Sequence, residues 1–242
     1  MTDQKIYRIA GISALATMAV FFIEFPFYLV RGAFPTMAEA CKLPDFAARN
    51  ATNIMTCVLL DLVILSLFMV FAAGFRHLIR QAGSGQEWLG TLFFGVGLVY
   101  TTLTLVADSL QAATVVDALT VPADPTIIRA LMESMYLMYG SVALWLMALL
   151  MGIAGYATLA SAKLPNPVLP GWSGWVACAC AIACLAFVPS MFCGHPDPTG
   201  FYNPAGWGPL GVASGFPLAA WMIVAGIFMI RAPRRREIVV PE

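Results

Sequence analysis

The stretch Ala51–Phe75 reads ATNIMTCVLLDLVILSLFMVFAAGF and contains a single charged residue, Asp61, near its centre. A helix needs about 20 predominantly apolar residues to cross the ~30 Å hydrocarbon core of a bilayer, and this run exceeds that. Five further runs of the same character lie along the chain, near Tyr7–Val30, Trp88–Val115, Ile127–Leu159, Trp172–Val188 and Leu210–Ile230. The expectation is an all-α fold: one transmembrane domain over 1–242, a polytopic membrane helix bundle of about six spans.

Composition supports this class. Of the 242 residues, 60% are hydrophobic and 11% charged, and mean hydropathy is +0.83. A soluble domain carries roughly 25% charged residues to keep its surface in water. Thirteen basic and thirteen acidic residues cancel. No long basic stripe marks a nucleic-acid partner, so the expected partner is the lipid bilayer, with or without other membrane subunits.

The first run follows Lys5 and Arg8, as a signal peptide would. Its apolar stretch exceeds the ~7–15 residues of a signal h-region and no small-residue cleavage site follows, so it reads as a retained helix. The positive-inside rule sets orientation. With the N-terminus inside, Lys5, Arg8, Arg76, Arg80, Lys163, Arg231, Arg234, Arg235 and Arg236 lie inside, against Arg31, Lys42, Arg49 and Arg129 outside. Both termini are expected inside, most simply at a bacterial inner membrane.

Carboxyls within such helices are costly and usually face the bundle interior. Four candidates stand one on each of the first four runs: Glu24, Asp61, Asp108 and Glu133. By rise per residue, Glu24, Asp108 and Glu133 sit ~10 Å from the outer end of their helix and Asp61 ~15 Å. Polar neighbours recur at helical spacing: Thr101, Thr104, Asp108 and Gln111; Asn53, Cys57 and Asp61; Arg129, Glu133 and Tyr136; Ser13, Thr17 and Glu24. Such stripes turn polar groups toward other helices. The expectation is a polar cavity among the first four helices, open outward, with the last two runs as an apolar flank.

Clustered carboxyls can carry protons, hold a hard cation or bind a cationic solute. The plainer alternative pairs each acid locally. Glu133 has Arg129 one turn away, and Arg31 stands two turns beyond Glu24. Asp61 and Asp108 have no such local partner, and for them function weighs more than structure.

Several chemistries are absent by motif. Two histidines, His77 and His195, fall outside the apolar runs, so facing haem ligands are missing. No Glu-x-x-His, HExxH, GxSxG or P-loop pattern occurs, and an enzyme is not expected. Cys178, Cys180 and Cys184 match no zinc spacing and read as small apolar residues. Met132, Met135 and Met138 beside Tyr136 and Tyr139 could ligate soft copper, but packing is the commoner role. Cofactors and any metal stay unassigned. Cys193–Pro209, CGHPDPTGFYNPAGWGP, is a turn-rich aromatic loop that anchors at the interface or folds as a lid, bringing His195 and Asp197 to the cavity mouth. Cys41 and Cys193 fall on the same outer side and form a candidate disulfide.

Tyr7-Arg8-Ile9-Ala10-Gly11 followed at once by a long span resembles the opening of a broad group of small bacterial membrane proteins of unknown function. The resemblance runs to about Phe25 and implies a bundle of about six helices with an acid late in the first, as Glu24 stands here. Three functions stay open: a cation, proton or small polar solute bound in the acidic cavity; an accessory subunit of a larger membrane complex; and, with least support, an intramembrane enzyme using a carboxylate-bound metal.

Overall fold

The computed structural model describes residues 2–32, 35, 37–120, 124–189 and 209–231, with side chains from 218 onward in the last stretch. Each long apolar run folds as helix, because in lipid only a helix satisfies its own backbone within one segment. They are α1 (Asp3–Arg31), α3 (Ala51–Ala82), α4 (Glu87–Ala118), α5 (Pro125–Leu137), α6 (Ala143–Ser161), α7 (Gly171–Phe187) and α8 (Pro209–Arg231), with the short α2 (Leu43–Arg49) between the first two. No strand occurs among the described residues.

Neighbouring helices close a ring. α1 packs on α3, α3 on α4, α4 on α6, α6 on α7, α7 on α8, and α8 returns to α1. The last two helices therefore complete the bundle instead of lying beside it. Small residues allow the close approaches, as in membrane bundles generally. A Cβ on Gly11 of α1 would lie 2.6 Å from the Gly226 carbonyl oxygen of α8. One on Gly74 of α3 would lie 2.1 Å from the Ala10 Cβ of α1, and one on Gly174 of α7 would lie 2.8 Å from Leu159 Cγ of α6. Inside the ring, Phe75 meets Phe93 and Trp221 with ring centroids 4.8 and 5.6 Å away, tying α3, α4 and α8 together.

Two local features depart from the sequence expectation. Ile127–Leu159, expected as one span, lies within one continuous helical run, Pro125–Ser161, but an unforeseen π turn, Met138–Val142, divides it into α5 and α6, and there Gly140 takes non-helical angles (φ −80°, ψ −107°). Such turns insert a residue into the helix and redirect the side chains beside it. The connection after α1 is also helical: a 3₁₀ turn over Met37–Lys42 leads into α2, whose Leu43 and Ala47, one turn apart, are buried where α2 meets α4 and α5.

Four helical runs are long and apolar enough to cross a membrane: Asp3–Arg31, Ala51–Ala82, Glu87–Ala118 and Pro125–Ser161. Gly171–Phe187 and Leu218–Arg231 are apolar but shorter. The exterior is apolar as well. Ile12, Ile23, Val30, Leu59 and Ile182 are each more than half exposed. That surface suits lipid and not water. The chain is a multi-pass membrane helix bundle.

Candidate functional site

The buried apolar side chains form two clusters, and their order along each helix shows what divides them. On α3, Ile54 belongs to the cluster at the α2 end, while Leu65 and Phe68 lie beyond Asp61, with Phe68 in the larger cluster. On α4, Phe93 is in the larger cluster and Tyr100 packs against it, whereas Leu110 and Val115, past Asp108, pack at the α2 end. On α1, Met18 and Phe21 precede Glu24 and belong with the larger cluster. The carboxyls of α1, α3 and α4 thus occupy one layer between two apolar clusters.

Glu24 and Asp108 are each 1% exposed, and Asp61 is half-buried. The Tyr139 hydroxyl, carried by the π turn, donates to Asp108 Oδ1. The Asp61 carboxyl stands within hydrogen-bonding range of Asp108, and both act electrostatically on Glu24. Glu24 in turn lies within hydrogen-bonding range of the Tyr28 hydroxyl, one turn along α1, and of the buried Cys57 thiol on α3. Arg31 stacks over the Tyr28 ring at 4.7 Å and brings positive charge within range of Glu24 and Asp61. Two carboxyl oxygens, Glu24 Oε1 and Asp108 Oδ2, are buried without a hydrogen-bond partner among the described residues. Buried polar atoms are normally satisfied, so two orphans in one layer are unusual.

The sequence candidates divide accordingly. Glu24, Asp61 and Asp108 come together. Thr104 and Gln111 are buried on the same face of α4, one turn to either side of Asp108, with the Thr104 hydroxyl bonded back to the Tyr100 carbonyl at 2.9 Å. Asn53 is half-buried two turns from Asp61, toward the α2 end. Tyr136 is 7% exposed in the α2-end cluster, within electrostatic range of Arg31. Glu133 stands apart. It accepts from Arg129 Nε at 2.9 Å, with the two side chains 44% and 45% exposed. The local pair, not the shared layer, takes that acid.

Tyr28, Tyr100 and Tyr139 were not singled out as site residues from sequence. Tyr28 carried a signal, one turn beyond Glu24 on the same stripe as Arg31. Tyr139 carried none, because its direction depends on the π turn. Met132 and Met135 are buried in the α2-end cluster as packing residues, and Cys180 and Cys184 sit in the larger one. His77 bonds Asp3 Oδ1 through Nε2 at 2.8 Å, at the opposite end of α3. Cys41 is exposed. His195, Asp197 and Cys193 lie outside the described residues, so the lid and the Cys41–Cys193 disulfide do as well.

Among the described residues, no three His, Cys, Asp or Glu side chains are grouped to hold a metal ion. Comparison with protein-family models, with curated proteins and with solved structures finds no match for this chain.

Proposed function

We propose that this protein spans the membrane six times with both termini inside, as in a bacterial inner membrane, and that the Glu24–Asp61–Asp108 layer binds a positively charged species: a proton, a cation or a small cationic solute. α7 and α8 complete the ring, which supports counting them as spans. Exposed Trp88, Tyr156, Trp172 and Trp175 lie toward the end that the basic-residue count assigns to the inside. An aromatic belt marks such an interface.

The observation that carries the binding reading is the pair of buried, unpartnered carboxyl oxygens on Glu24 and Asp108 within a layer fed by three helices. Isolated ionised groups in apolar surroundings are costly, so such a layer persists where a positive partner visits it. The test is modification by an apolar carbodiimide, which reacts with protonated carboxyls. Asp61 in the folded protein is expected to react at neutral pH while exposed Glu133 does not, and a rise in pH or an added cation should slow the reaction. An Asp61 unreactive at every pH, or indifferent to both pH and cations, would overturn the reading.

A second reading makes the protein an accessory subunit. The observation favouring it is the exposed apolar face of α7, with Trp175 and Ile182 each 68% exposed. Co-migration with other polypeptides after mild detergent extraction, with the carbodiimide result negative, would support it.

A further inference from the structure

Ionised carboxylates accept hydrogen bonds and cannot donate them. Asp61 and Asp108 stand within hydrogen-bonding range of one another, so a bond between them requires one proton on the pair. Tyr139 already supplies the donor for Asp108 Oδ1. Asp108 Oδ2 is buried with no hydrogen-bond partner among the described residues, and Glu24 Oε1 is in the same condition. A dehydrated calcium ion needs about six to eight oxygens at ~2.4 Å, and smaller cations also need a cage of several. The described acids are not grouped in that way. A proton needs one acceptor and no cavity.

We propose that the ligand of this layer is a proton, shared between Asp61 and Asp108, with Glu24 as the next acceptor. This rests on the reading of the layer as a binding site and names its ligand. The step is a simple transfer: a proton adds to one oxygen of the ionised Asp61–Asp108 pair, taking the pair from two negative charges to one, and no bond between heavy atoms changes. Asp61 is the half-buried member, so exchange enters and leaves there.

The groups facing the pair suit that role. From α1 come Glu24, Tyr28 and the positive charge of Arg31. From α3 comes the Cys57 thiol, from α4 Tyr100, itself within electrostatic range of Cys184 of α7, and from the π turn Tyr139. Phenols and thiols donate to a carboxylate without competing for its proton, since their own protons leave only well above the carboxyl range. Arg31 balances one negative charge, and the shared proton removes another.

The experiment is infrared spectroscopy of the whole protein in lipid, in water and in deuterium oxide. A protonated-carboxyl C=O band is expected at neutral pH, shifting in deuterium oxide and moving when aspartate is isotope-labelled, which requires no substitution. It should vanish in Asp61→Asn and in Asp108→Asn, persist in Glu133→Gln, and change frequency in Tyr139→Phe, which keeps the ring. No aspartic acid band, combined with cation protection of Asp61 from carbodiimide, would overturn the proton as ligand and leave the binding site standing. No band and no protection would overturn both.

Discussion

The Tyr139 hydroxyl donates to Oδ1 of Asp108, joining two residues 31 apart in sequence and on different helical segments. The contact depends on the π turn at Met138–Val142. In an uninterrupted α-helix the residues after it would be rotated by roughly 100° per inserted position relative to those before, so α5 and α6 could not both keep their packing faces. The turn lets α5 pack with α2 and the end of α4, and α6 with α4 and α7, while Tyr139 enters the carboxyl layer between them.

Replacing Tyr139 by Phe removes the donor and leaves the ring. Asp108, 1% exposed, would then have lost the Tyr139 hydroxyl and kept only Asp61 as a neighbour within hydrogen-bonding range. The expected cost is about 1–3 kcal/mol, the penalty for an unsatisfied buried acceptor. It would appear as a lower unfolding midpoint in detergent. An unchanged midpoint would show that the bond contributes nothing to stability.

Gly74→Ala should destabilise the α1–α3 contact. The new Cβ would lie 2.1 Å from the Ala10 Cβ, so one helix must move, and overpacking of this kind costs about 1–3 kcal/mol or more. Gly95→Ala is the matched control, since nothing lies within 4 Å of its added Cβ. There the gain in helix propensity, up to about 1 kcal/mol, should leave the midpoint equal or higher. Thermal unfolding of the two variants side by side decides it, and equal losses in both would contradict the packing described.

Glu133→Gln should be nearly silent. Its partner Arg129 is one turn away and both side chains are close to half exposed, so the pair contributes about 0–1 kcal/mol. Unfolding and carbodiimide modification of Asp61 should match the unsubstituted protein. A large change in either would place Glu133 in the layer with the other three acids.

Topology can be read with a membrane-impermeant thiol reagent on vesicles of known orientation. Cys41 is exposed beside α2, and Lys163 is exposed just beyond the opposite end of α6. Cys41 and the introduced thiol of Lys163→Cys are expected to label from opposite faces, with Cys41→Ser together with Cys193→Ser as the blank for the outer face. Labelling of both from one face would overturn the both-inside arrangement.

The class of the fold was readable from composition and run length alone. A run such as Ala51–Phe75 has nowhere to go in water, and the same arithmetic located the other long helices to within a few residues. The acids Glu24, Asp61 and Asp108 were readable for the same reason, since a charge in such a run is costly enough to need an explanation. The Arg129–Glu133 pair was also foreseeable, because residues one turn apart on a helix meet whatever the rest of the chain does. Tertiary structure decided the rest. Whether α7 and α8 lie beside the bundle or close it depends on near contacts such as Gly11 with Gly226, which pair residues from opposite ends of the chain. The break in the fourth apolar run follows from packing two helical faces that a straight helix cannot serve together, and hydropathy is blind to it. That break selects Tyr139, from a crowd of tyrosines and methionines alike in sequence, as the partner of Asp108, because hydrogen bonding depends on direction while hydropathy records only burial.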